Sequence, residues 1–188
     1  MGYDLAEHRH RFAVWAAARA AQRGFTSVEN LRAALEATDI RDVLAAPETL
    51  QLRAATFDVL HRRWCSAICL ALGARQIAKV TYGRAAKLVA VYLKATVVMG
   101  ASWDSPFGRN MHPPIDRILL HRLASCDTIE SPHKAGWRGI SWTQLDEEGY
   151  YRLIGQLRQA IPVGAPFWVI EEHWEPTESG DNAAQNWG

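Results

Sequence analysis

Through nearly every long segment of the chain, apolar residues return at the three-to-four spacing of an α-helix. Leu5, Phe12, Trp15 and Ala16 approximate one face over residues 4–23, and Gly24 ends that helix. "TSVE" offers a capping box, Thr26 with Glu29 three residues on, opening a helix through about residue 37. A short helix over 39–45 is stopped by Pro47. Leu52, Phe57, Leu60, Trp64, Ile68 and Leu72 stripe the longest predicted helix, 48–72, which Gly73 closes. Thr81 caps the next, a strongly apolar stretch that ends at Gly100. Residues 101–113 hold Gly, Pro, Asn and Trp and predict a loop. "PPIDRILLHRLA" restarts as helix with Asp116 in its first turn, because proline is tolerated there. An irregular stretch, 125–143, leads to a helix capped by Asp146 and running to about residue 160, then a last helix over 165–174. The pattern predicts an all-α fold, one bundle-like domain of seven or eight helices over residues 1–175 with a polar, fraying tail over 176–188. Trp15, Trp64 and Trp168 are expected in its core.

Length agrees, since 188 residues suffice for one sizeable core. The charged N-terminus "MGYDLAEHRHRF" lacks the apolar centre of a signal peptide, and Lys94 interrupts the longest apolar run. The chain therefore reads as cytoplasmic, with no membrane partner. Cys65, Cys69 and Cys126 form no disulfide framework and are expected as free thiols. Seven histidines raise the question of a metal, but His112, Asp116 and His121 do not share one helical face. No phosphate-binding glycine loop, nucleophile elbow or dinucleotide fingerprint is present, so no cofactor or metal is predicted.

Charge is more informative in its distribution than in its sum. From Val59 to Trp103 there is no acid, while Arg62, Arg63, Arg75, Lys79, Arg84, Lys87 and Lys94 are basic. After Ser141 eight acids face only Arg152 and Arg158. Either the middle segment forms a basic surface, or the two segments pack together and neutralise each other.

The basic residues include an unusual pair. In "YGRAAKLVAVYLKATVVMG" (82–100), Arg84, Lys87, Val91 and Lys94 follow one edge of a helix that is otherwise apolar or small. Such an edge either meets solvent, lysine stems covering apolar neighbours, or floors a cleft in which desolvation makes an amine nucleophilic. Asp116 in "HPPID" opens a helix, where its charge suits the helix dipole and could steady a developing cation; Arg117 beside it could meet a phosphate.

"KLVAVYLK" (87–94) followed by a loop and "PPID" (113–116) resembles the helix-hairpin-helix DNA glycosylase superfamily, in the form seen in archaeal 8-oxoguanine DNA glycosylases. The resemblance covers about 30 of the 188 residues. It implies a DNA N-glycosylase or abasic-site lyase of base-excision repair. A lysine amine attacks the sugar carbon, which puts Lys87 or Lys94 in that role, and an aspartate, here Asp116, assists departure of the base. The hairpin that offers N–H groups to a DNA phosphate is reduced here to "VTYGRAAK" with Gly83 alone, and Ala85 stands where many bifunctional relatives carry the lysine. On this reading Lys79, Gly83, Arg84 and Arg117 contact the nucleic-acid backbone, and Trp103, Trp137 or Trp142 stacks on a flipped base. The alternative is a non-enzymatic helical interaction protein that binds a protein partner or a second copy of itself.

Overall fold

The computed structural model describes residues 2–22, 24–46, 51 and 53–175. All its regular structure is helical. Nine α-helical segments occur among the described residues: α1 (Leu5–Gln22), α2 (Val28–Glu36), α3 (Ile40–Ala45), α4 (Ala54–Ala74), α5 (Tyr82–Leu93), α6 (Pro106–Asn110), α7 (Arg117–Ser125), α8 (Lys134–Trp137) and α9 (Glu147–Gln159). A π-helical segment, Lys94–Ser102, prolongs α5, and 3₁₀ turns form at Trp142–Gln144 and Phe167–His173. The expected tail over 176–188, Pro47 and much of the predicted start of the fourth helix lie outside the described residues.

Helix α5 is the axis of the fold. Every one of its residues except Val91 is buried, because α1, α4, α9 and the 142–144 turn all pack against it. Ala13, Ala17, Ala18 and Ala21 make the buried face of α1 almost free of side-chain bulk, which lets the two helices lie close. Tyr82–Ser102 is long and apolar enough to cross a membrane by length and composition. In this fold its α5 portion is the core helix of a domain. Trp64, Trp137, Phe57 and Phe107 fill the space around it, each fully buried and worth about 1.5–3 kcal/mol by removal of apolar surface from water.

The start of α5 is fixed by a close approach. A β-carbon on Gly83 would lie 2.0 Å from the Trp142 carbonyl oxygen, so only glycine fits. Its N–H donates to the Leu145 carbonyl at 2.9 Å, and the Thr81 hydroxyl donates to the Thr143 carbonyl at 2.8 Å while capping the Arg84 N–H. The 142–145 segment is thereby stitched across the first turn of α5.

Several local expectations change. Ser27, not Thr26, caps α2 by accepting from the Asn30 N–H; Thr26 binds the Asn30 side chain instead. Helix α4 runs through Gly73, and the predicted loop after residue 100 contains α6, capped by Ser105. The segment α5 was expected to end at Gly100 as α-helix; it loosens to π geometry at Lys94, and Ala101 turns it with a φ of 72°. Asp116 is the N-cap of α7 and not a first-turn residue, since the two prolines before it hold the chain extended. Trp15 is half exposed and Trp168 only partly buried, while Trp64 is the predicted core residue. All three cysteines are free.

Candidate functional site

Lys87 and Asp116, 29 positions apart, meet at the centre of the molecule. Lys87 Nζ donates to Asp116 Oδ2 at 2.8 Å, and both side chains are about 95% buried. The site follows from local rules. Pro113 and Pro114 cannot continue a helix, so the chain reaches Asp116 extended, and the carboxylate turns back to cap α7. Asp116 Oδ1 accepts the Leu119 N–H at 2.9 Å. Oδ2 takes the ammonium and also the Trp174 indole N–H at 3.1 Å. Lys87 further lies 3.5 Å from the Pro114 carbonyl and 5.7 Å from the centre of the Trp142 ring.

Burial by itself would raise the Asp116 pKa. The charge of Lys87, its hydrogen bond, the Leu119 amide and the Trp174 indole outweigh burial and hold the carboxyl below its usual range. Asp116 is therefore an anion beside a cation, in surroundings nearly free of water.

Seven residues on, Lys94 does not reach Asp116. It binds the Glu171 carboxylate, which arrives on the 167–173 turn. The basic edge of α5 is thus not a solvated stripe. Asp116, Trp142, Glu171 and Trp174 cover it, and Lys94–Glu171 and Arg62–Glu147 are direct pairs between the basic middle and the acidic end of the sequence.

The other predicted residues scatter around this pair. Arg84 is 8% exposed, lies against the Phe25 ring at 4.1 Å, and has no hydrogen-bond partner for Nε or Nη1 among the described residues. Lys79 and Arg117 are exposed. The Gly83 N–H is taken by Leu145, so it does not point at a ligand. Trp137 is fully buried with its indole N–H on Gln156, which leaves no ring face for a base. Trp142 is buried beside Lys87, and only Trp103 is open, at 46% exposure, edge-on to Trp168.

A second buried polar cluster escapes sequence reasoning. His112 sits between Asp58 and Tyr150: Nε2 lies 3.0 Å from Asp58 Oδ1 and Nδ1 lies 3.1 Å from the Tyr150 hydroxyl. An ionised carboxylate can only accept, so the Asp58 contact puts the hydrogen on Nε2 and Nδ1 accepts from Tyr150; Arg158 Nη2, also a donor and 3.1 Å from Nε2, gives its hydrogen to Asp58 instead. Arg158 binds the same carboxylate. His61 lies beside, 3.0 Å from the Tyr151 hydroxyl, which donates onward to the Asp58 carbonyl. Burial pushes both imidazoles down, His112 to about 4, so both are neutral at pH 7. The only sequence signal is the Asp58–His61 spacing of three on one helix face; the partners come from segments 38 to 100 residues away. Among the described residues no three His, Cys, Asp or Glu side chains gather as metal ligands.

The chain matches no family model, no curated protein and no solved structure.

Proposed function

We infer that the protein is a DNA-binding base-excision enzyme, a glycosylase or abasic-site lyase, in which Lys87 supplies the amine and Asp116 the negative charge. The observation that carries this reading is the 2.8 Å contact between two groups 29 residues apart in a nearly dry site. A buried ion pair is an expensive way to hold two helices together, since apolar residues of similar volume often serve as well or better. Its retention is explained if both charges have work to do.

The chemistry needs the pair to change state. As an ammonium Lys87 is no nucleophile, so its proton must pass to water as substrate enters, leaving Asp116 ionised. The free amine then forms a C–N bond to the sugar carbon while the glycosidic bond breaks. Its electron pair leaves with the base, which takes up a proton. Positive charge grows on the sugar, and an ionised Asp116 beside it lowers that barrier. Lys94, on the partly exposed turn beyond α5, is the phosphate contact in this scheme, not the nucleophile.

Incubation with duplexes carrying 8-oxoguanine or an abasic site, with borohydride present, tests the reading. Base release and a trapped protein–DNA adduct are expected from the wild-type chain, with binding that weakens steeply as salt rises. Absence of binding even at low salt would remove the enzyme reading.

The second reading, a non-enzymatic interaction protein, is favoured by the outer face of α1. Phe12 and Trp15 lie 5.9 Å apart there, ring centre to ring centre, each about half exposed, with Leu5 exposed two turns before Phe12. It predicts a concentration-dependent mass in sedimentation, abolished by Trp15→Glu.

A further inference from the structure

The segment that follows the last core anchor behaves differently from the rest of the fold. Phe167 and Ile170 are 3% and 1% exposed and tie the 167–173 turn into the core. From Glu171 to Glu175 no large apolar side chain is fully buried. Glu171 binds Lys94, the Trp174 indole N–H binds Asp116 Oδ2, and Glu175 pairs with Arg122 at 3.1 Å. Glu172 and Trp174 are exposed, Trp174 at 38%, and Arg122 and Glu175 are more than half exposed. The segment is thus held by three polar hooks and a partly covered indole ring, with the Trp174 hook on the Lys87–Asp116 pair itself.

We propose that Glu171–Glu175 is an acidic flap that closes the Lys87–Asp116 pair, with the Glu171 carboxylate occupying the place on Lys94 that a backbone phosphate takes when the flap opens. This rests on the reading of the pair as a nucleic-acid site. Three features of the hooks support it. A carboxylate and a phosphate oxygen are interchangeable partners for an ammonium, so Glu171 and a phosphate compete for one cation. Exposed ion pairs such as Arg122–Glu175 are weak and screened by salt, so the flap belongs to the easily opened part of the molecule. Burial also raises the Glu171 pKa despite Lys94, so the closed position is a less favourable place for the charged carboxylate than water is. When the flap lifts, Asp116 loses one donor and Lys87 becomes reachable from solvent.

The test is made on the full chain by reductive methylation with formaldehyde and cyanoborohydride. The labelling rate of each lysine is read by peptide mass spectrometry, with exposed Lys79 as internal reference. Lys87 should label slowly in the wild type and up to about fivefold faster in Glu171→Gln, as the open population rises. Trp174→Phe keeps the ring but lacks the indole hook, and should show a smaller rise. Hydrogen exchange over residues 171–175 should accelerate when an 8-oxoguanine duplex is added. Unchanged Lys87 labelling in both variants overturns the flap, even if the duplex binds and an adduct forms. Faster labelling in the variants, with no response to the duplex, upholds the closure and removes the nucleic-acid reading beneath it. Each variant is checked for an unchanged denaturation midpoint, so that local opening is separated from loss of fold.

Discussion

Among the described residues, buried polar side chains gather into two clusters that solve the problem of burial differently. Around His61 and His112 the imidazoles are neutral: tyrosine hydroxyls and one partly exposed carboxylate satisfy both rings, and burial forbids a charge on either. At Lys87 and Asp116 the charges are kept, because the ammonium, the first turn of α7 and an indole N–H converge on one carboxylate. A neutral network rigidifies a core at little electrostatic cost. A charged pair offers less stability for its desolvation, yet it places a cation and an anion in contact. The difference marks the first cluster as architecture and the second as the place to look for chemistry.

The two regions can be separated by how they fail. Lys87→Met leaves the Asp116 carboxylate buried without its cation and should cost about 3–5 kcal/mol in urea denaturation. Adding Asp116→Asn to it should return part of that loss, and a double-mutant cycle measures how much. A cycle with no coupling would show that the pair is not a unit.

Acid should attack the histidine cluster first. Unfolded histidine binds a proton near pH 6.5, whereas folded His112 waits until about 4, so between those values the unfolded state holds more protons and stability falls as pH is lowered. His112 alone contributes on the order of 3 kcal/mol to that fall, and His61 acts in the same direction. Asp116 has its folded pKa below the unfolded value of 3.8, so its contribution is intact through this window and disappears only at lower pH. Stability measured from pH 7 to 3 should therefore drop mainly above 4, and Lys87→Met should leave that part of the curve in place.

His112→Phe leaves the Tyr150 hydroxyl without its acceptor and should cost about 1–3 kcal/mol while flattening the decline between pH 6.5 and 4. The smallest effect belongs to Glu171→Gln. Its partner Lys94 is 37% exposed, so the pair is worth less than about 1 kcal/mol, visible in local labelling before it is visible in global stability.

The part of this organisation that is local in sequence was legible there. The all-α character, the limits of α1, the Thr81 and Asp146 caps and the central place of the 82–93 helix all follow from periodicity and capping residues, as the Arg84 and Gly149 N–H contacts of those caps bear out. The facing of Lys87 and Asp116 was legible only as a motif, since periodicity says which edge of a helix a lysine leaves and not what lies opposite. Glycine composition gave no warning that Gly83 is needed for a 2.0 Å approach to a carbonyl rather than for a ligand. The His61–His112 cluster was hidden because its members are ordinary residues of three separate segments, joined only by long-range packing. Trp137 and Trp142 read as loop aromatics, but short helical turns at 134–137 and 142–144 fold them inward.

The most direct measurement is the site of attachment in a borohydride-trapped complex with an abasic duplex, mapped by peptide mass spectrometry. The account predicts a single modified lysine, Lys87, and no adduct in Lys87→Gln, while Lys94→Gln still traps DNA but binds it more weakly. An adduct on any other lysine, or none at all with folded protein and intact abasic sites, would contradict it.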